Sequence, residues 1–201
     1  MEHVHDYLII GAGMAADAAA KAIREVDAAA NVGMVGAETP PPYQRPPLSK
    51  ALWKGDKSPA DIDLATAQSG ATLHLGRRIE SLDRVARTAR DDHGDTYRYR
   101  RLLLATGAAP RRLPFEGDER IIHFRTLDDY QALRRYAQPG AFIAVIGGGF
   151  IGCELAASLC SLGCKVTLLF PGETIGAGRY PDGLAHYLDD YYRSRGVDVR
   201  S

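Results

Sequence analysis

Short apolar runs that end in glycine set the rhythm of this chain. Tyr7-Leu-Ile-Ile10 is apolar throughout and stops at Gly11, as a parallel strand buried on both faces does. An alanine-rich stretch over 14–29 predicts a helix, and Val32-Gly-Met-Val35 a second strand. Strand, glycine turn, helix and strand make one βαβ unit. The same order returns later, with a strand over 141–146, a helix over 150–162 that Gly163 stops, and a strand over 165–170. An amphipathic helix over 181–195 closes at Gly196, and 197–199 begins one more strand.

Between these units the periodicity changes. Pro40, Pro41, Pro42, Pro46 and Pro47 exclude helix and central strand from 39–47. Short helices are predicted over 48–53 and 61–69, and a third strand over 71–75. From Ile79 onward, alternating segments around Asp91-Asp-His-Gly94 predict a small antiparallel meander of 79–83, 87–90 and 96–99. Arg101-Leu-Leu-Leu-Ala105 then reads as a separate buried strand that stops at Thr106-Gly107. Residues 110–117 form a linker candidate. Thr126-Leu-Asp-Asp129 resembles a capping box that opens a helix to 137.

Composition narrows the function classes. The 201 residues suffice for one domain plus part of another, and 45% are hydrophobic, ordinary for a packed protein. Lys plus Arg equals Asp plus Glu at 25 each, so nothing calls for nucleic acid or an anionic membrane. No apolar run reaches the ~20 residues of a membrane helix. The first strand starts close to Met1, which leaves no room for a signal peptide, so a cytoplasmic protein is expected. Three Cys make no disulfide framework. Cys153, Cys160 and Cys164 read as small core residues, and neither they nor the scattered His suggest a metal site.

The glycines carry the chemistry. Gly11-x-Gly13-x-x-Ala16 and Gly147-x-Gly149-x-x-Gly152 each follow a strand and open a helix. In this fingerprint the first glycine makes the turn and the second lets backbone approach a pyrophosphate. The third position is small so that the helix lies close on the strand. The helix N-terminus then offers unpaired N–H groups to the phosphates. One match is weak and two in context are strong, so the chain reads as two dinucleotide-binding units. An acidic residue for the ribose is expected after the second strand of each. Glu38 stands there in the first unit. In the second the place holds Phe170-Pro-Gly172, with Glu173 displaced beyond it. Arg179 is near enough to meet a 2′-phosphate or to be an ordinary exposed arginine.

Pro42-Tyr-Gln-Arg-Pro-Pro-Leu-Ser-Lys50 is similar to the signature of ferredoxin/rubredoxin reductases and apoptosis-inducing factor, within the FAD-dependent pyridine-nucleotide oxidoreductases. Ala51-Leu52-Trp53 and Leu169-Phe-Pro171 resemble the apoptosis-inducing-factor branch, and Leu103-Leu-Ala-Thr-Gly107 the family strand that closes on the flavin dinucleotide. The resemblance implies an α/β fold with two Rossmann-like units and the small meander. It implies FAD in the first unit and NAD(P)H in the second. Residues 1–115 would be the front of the FAD domain and 116–201 the front of the NAD(P)H domain. Both domains are expected to be incomplete, since a second FAD-binding stretch and a C-terminal interface domain of the family are missing.

Residue by residue, the resemblance implies that Gly11, Ala12, Gly13, Met14, Ala15 and Ala16 cradle the FAD pyrophosphate. The family acid for the ribose stands where this chain has Ala37, one position before Glu38, so which of the two meets the ribose stays open. Arg45 and Lys50 would approach FAD, Pro46 would pack on the isoalloxazine, and the Ile79 backbone would meet the adenine. Ala105, Thr106, Gly107 and Arg111 would border the cofactor. Gly147, Gly148, Gly149, Phe150 and Ile151 would meet the nicotinamide dinucleotide, with Phe150 over the flavin and Glu173 as the displaced acid.

Lys50 and Glu154 resemble the family pair beside flavin N5, where a cation stabilises the charge that hydride delivery leaves. The implied function is NAD(P)H reduction of FAD, with electrons passed to an iron–sulfur protein or a quinone-like acceptor. A homodimer is compatible with this. A truncated remnant or nucleotide-responsive interaction module is the alternative. A flavin monooxygenase also has two fingerprints, but the Arg-Pro-Pro-Leu-Ser-Lys stretch argues against it.

Overall fold

The computed structural model describes residues 1–114 and 117–201. The chain divides into two compact units, Met1–Arg45 with Ala60–Ala109, and Pro46–Pro59 with Pro110–Ser201. The boundary expected at 115/116 lies outside the described residues, as does the end of the 110–117 linker before Gly117. The two compact units change over at 109/110, and residues 46–59 group with the later one.

The first unit contains β1 (Glu2–Ile10), α1 (Met14–Val26), β2 (Val32–Gly36), β3 (Thr72–Leu75), β4 (Ile79–Asp83), β5 (Thr88–Asp91) and β6 (Thr96–Leu104). They form one six-stranded sheet in the order β3-β2-β1-β6-β5-β4. β3, β2, β1 and β6 are parallel, while β5 and β4 run antiparallel at the far side. Leu8, Ile9, Val32, Met34 and Val35 are fully enclosed, each contributing about 1.5–3 kcal/mol of apolar burial. Ala16 and Ala20 are the buried small residues of α1, which let it lie close on Ile9 and Met34.

Three expectations change here. The separate meander strand 96–99 and the strand 101–105 are one strand, β6, paired with β1 from Glu2↔Thr96 to Ile10↔Leu104. No glycine or proline interrupts 96–104, and Arg98 and Arg100 find partners on β1 in Glu2 and Asp6. The predicted helix over 61–69 is two 3-10 turns, Pro59–Ile62 and Thr66–Ser69. Its backbone is spent on the proline loop instead: Leu64 N–H donates to Pro42 O at 3.0 Å and Gln44 N–H to Ile62 O at 2.8 Å. Thr66 donates to buried Asp17 of α1 at 2.7 Å, pinning the segment down. α1 ends at Val26 rather than 29, where Asp27 N–H caps Ile23 O.

A histidine cluster, unassigned from sequence, sits in this sheet. His74 Nε2 and His5 Nε2 are 3.3 Å apart, and His3 packs on both His74 and Tyr97. Gly33 makes room for it, because a Cβ there would stand 2.4 Å from His5 Cδ2. Nearby Asp91 is buried, which opposes its charge, but bonds from Tyr97, the Asp95 N–H and Arg77 outweigh this and hold its carboxyl below the usual range. His74 is pushed down to about 4, first by burial and then by His3, His5 and Arg77, with Asp91 opposing.

The second unit contains α2 (Ala51–Lys54), α3 (Leu127–Tyr136), β7 (Phe142–Ile146), α4 (Phe150–Ser161), β8 (Lys165–Leu169), α5 (Asp182–Ser194) and β9 (Asp198–Arg200). Its parallel sheet runs β7-β8-β9. The capping box at α3 forms as expected: Thr126 Oγ1 accepts from Asp129 N–H at 3.2 Å, and Asp129 accepts from Thr126 N–H at 2.7 Å. The helix predicted over 48–53 splits into the 3-10 turn Pro46–Ser49 and α2. Trp53 holds the two together by donating to Leu48 O at 2.6 Å, and its ring meets Tyr130 edge-on. On β7, Phe142 and Ile146 remain exposed.

The histidine cluster sets a pH dependence. A folded pKa near 4 against 6.5 unfolded means the unfolded chain takes the proton first, so stability present above 6.5 is lost as pH falls toward 4. Urea unfolding midpoints should therefore drop between pH 7 and pH 4, and His74→Gln should flatten part of that slope. A slope unchanged by His74→Gln would refute this.

Candidate functional site

In the first unit the turn after β1 is shaped by backbone contact. Gly11 has φ 118°, its N–H donates to Val35 O at 2.8 Å, and a Cβ there would stand 2.0 Å from Ala105 O. Ala12 approaches β2 so closely that a Cβ on Gly36 would meet its methyl at 2.3 Å. No side chain caps α1 at Gly13, and Met14 and Ala15 at its first turn are exposed while Ala16 is buried. Free N–H groups, a positive helix end and the Arg45 guanidinium, whose Nη2 would lie 4.0 Å from a Cβ on Gly13, form a cradle suited to a pyrophosphate.

The residues expected around this cradle come from three segments. Just past β2, Ala37 is exposed and Glu38 half-buried. Glu38 is ion-paired with Arg45 and accepts from Tyr43 Oη at 2.6 Å, and Arg45 in turn donates to Tyr43 Oη at 3.1 Å. This holds a carboxylate in a fixed position just past β2. Ala105 follows β6 and its N–H donates to Ile10 O at 2.8 Å, while Thr106 and Gly107 are exposed. Ile79 opens β4 and packs on the Leu8–Tyr97 core.

The second unit repeats the turn. Gly147 has φ 126°, and its N–H donates to Leu169 O at 2.7 Å. A Cβ on Gly152 would stand 1.8 Å from Gly147 O, so α4 crosses the loop in backbone contact. No side chain caps α4 at Gly149, and Phe150 and Ile151 at its start are exposed, Phe150 by 62%. The ring of Phe170 lies against Gly148. Glu173, Arg111 and Pro46 are exposed.

The unit also brings together the two charged residues singled out from sequence. Lys50 Nζ donates to Glu154 Oε2 at 2.6 Å. Their side chains are 49% and 30% exposed. Sequence reasoning missed the third member: Ser49 Oγ donates to the same Glu154 oxygen at 2.6 Å, and Ser158 holds the Ser49 carbonyl at 3.0 Å. Tyr43 at Glu38 was missed likewise. Both hydroxyls stand beside or near a charged residue in the same proline-rich stretch, which was the available signal.

The thiols stay out of this chemistry. Cys153, Cys160 and Cys164 are free, and burial, followed by Glu154, pushes the Cys153 thiol up. Among the described residues no His, Cys, Asp or Glu group is arranged to hold a metal, and no helix is long and apolar enough to cross a membrane.

Two glycine turns, each opening an uncapped helix in its own βαβ unit, have the form of the dinucleotide-binding fingerprint. The chain matches the description "Pyridine nucleotide-disulphide oxidoreductase" over residues 5–201, and it belongs to that family. It is 34% identical over 208 residues to the ferredoxin–NAD(+) reductase component of the p-cumate 2,3-dioxygenase system of Pseudomonas putida, covering 99% of this chain and 51% of that protein. It is 38% identical over 197 residues to the corresponding component of the anthranilate 1,2-dioxygenase system of Burkholderia cepacia, covering 95% of this chain and 48% of that protein. Among solved structures, the covalent putidaredoxin reductase–putidaredoxin complex matches with a TM-score of 0.89 at 29% identity, over 98% of this chain and 49% of that one. The chain thus spans about half the length of these relatives.

Two substitutions test the site's construction. Gly152→Ala forces a methyl into the Gly147 carbonyl, and urea unfolding should show a loss of about 1–3 kcal/mol. Lys50→Ala removes a half-exposed ion pair and should cost under about 1 kcal/mol by the same measurement. A larger cost for Lys50→Ala than for Gly152→Ala would reverse this assignment of structural and chemical roles.

Proposed function

We propose that this chain supplies the two nucleotide-binding units of a flavoprotein oxidoreductase. In this reading NAD(P)H reduces FAD, and electrons leave to an iron–sulfur protein. The observation that carries it is the pair of backbone cradles, each at an uncapped helix N-terminus in one chain of this family. The relatives' names, which include ferredoxin and rubredoxin reductases, support the acceptor class. A quinone-like acceptor, a homodimer and a cytoplasmic location belong to the same proposal.

The roles proposed for the residues are those that the family resemblance implies. Gly11 to Ala16 present N–H groups to the FAD pyrophosphate, and Glu38, oriented by Tyr43 and Arg45, meets the ribose, with Ala37 beside it. Arg45, Pro46, Ile79, Ala105, Thr106, Gly107 and Arg111 border FAD. Gly147 to Ile151 receive the nicotinamide dinucleotide. When bound, FAD supplies the change from hydride acceptance to single-electron delivery. Lys50 would hold a cation for negative charge on the bound flavin, and Glu154, itself held by Ser49, keeps the ammonium in place.

The purified protein should be yellow, or become so on titration with FAD, and should bleach anaerobically with NADH or NADPH. Lys50→Ala should slow bleaching by about 10²-fold, the scale of losing one electrostatic stabiliser. A protein that binds no FAD would overturn the proposal in favour of the non-catalytic module. Unchanged bleaching in Lys50→Ala would remove Lys50 from the chemistry.

A further inference from the structure

From the far end of β8 we infer that the second nucleotide site prefers NADPH to NADH, with Arg179 as the residue that reads the extra phosphate. This rests on the proposed assignment of the nicotinamide dinucleotide to that site. An NAD-selective site places a carboxylate at the end of the second strand of the unit, where it binds the ribose 2′-hydroxyl and repels a 2′-phosphate. Here β8 ends at Leu169 and the next residue is Phe170, which is buried against Gly148. No carboxylate occupies the position, and the ring that does carries no charge. Glu173, three residues on, is exposed in the following turn, and among the described residues no hydrogen bond holds it toward the strand end.

The chain after Phe170 folds back on the glycine loop. Gly176 N–H donates to Gly148 O at 3.2 Å, and Ile175 N–H donates to buried Asp189 of α5 at 2.8 Å. Thr174 and Ile175 are themselves buried, so this return is anchored rather than loose. It delivers Arg179 to the loop: a Cβ built on Gly149 would stand 2.9 Å from Arg179 Nη1. Among the described residues no carboxylate pairs with Arg179. Arg200, the other cation at this strand end, is already bound to Asp198, with Nε to Oδ2 at 2.8 Å. Among the described residues Arg179 is therefore a cation beside the glycine loop with no carboxylate paired to it. A guanidinium matches a phosphate dianion through paired N–H donors.

The test is calorimetric titration of the full chain with NADPH and NADH, and with 2′,5′-ADP against 5′-AMP, at low and high salt. NADPH should bind about tenfold or more tightly than NADH at low salt, 2′,5′-ADP should show the same advantage, and both margins should shrink with added salt. Arg179→Gln, on an exposed side chain, should remove most of the NADPH advantage and leave NADH affinity within about twofold. Tighter binding of NADH than NADPH would overturn the inference and leave the site assignment standing. An equal loss of both affinities in Arg179→Gln would also overturn it, since Arg179 would then serve the pyrophosphate common to both. Binding of neither nucleotide would overturn the site assignment together with the inference.

Discussion

At each glycine turn a backbone carbonyl stands where a side chain would otherwise project. Ala105 O fills the space beside Gly11, and Gly147 O fills the space beside Gly152. At Gly152 the contact brings the first turn of α4 down onto the loop after β7, and at Gly11 it seats the turn after β1 against the end of β6. Every later feature of the two units is referred to these contacts. The carboxylate at Glu38, the exposed face of Phe150 and the reach of Arg179 all take their meaning from a glycine turn that lies next to them. The turns tolerate nothing larger, since a methyl at either glycine collides with main chain rather than with a side chain that can swing away.

Around this constraint the two units differ in how they manage charge. In the first, the acid after the second strand is present and held by a cation and a phenol, Arg45 and Tyr43. In the second, the corresponding place is an apolar ring, and the charge nearby is an arginine without a partner among the described residues. The Lys50–Glu154 pair belongs to the second unit together with residues 46–59. The proline-rich stretch is thus shared between the units: its first half serves Glu38, and its second half packs on α4 through Ser49 and Ser158. Proline suits this task because it forbids helix and strand while keeping the backbone stiff.

Much of the fold was legible because buried parallel strands are short, apolar and bounded by glycine. The positions of β1, β2, β7, α4 and β8 follow from that alone. The errors share one cause. Where 96–99 and 101–105 were separated, the polar residues Arg98, Tyr99 and Arg100 broke the apolar pattern, yet pairing with β1 carried the strand through them. Over 61–69, where the sequence predicts helix, local propensity loses to the bonds that Leu64 donates to Pro42 and Gln44 donates to Ile62. Those partners are distant in sequence, and no local pattern announces them.

By itself the sequence determined the two βαβ units and their glycine turns, because glycine spacing and apolar runs are local constraints; the pairing of Lys50 with Glu154 followed only from the family resemblance. Only the tertiary structure decided that Ser49 and Tyr43 orient those acids, that three histidines meet over Gly33, and that Arg179 returns to the second glycine loop. Each of these depends on the path of a loop between elements, and loop paths are set by long-range hydrogen bonds and burial rather than by the periodicity of the residues within them.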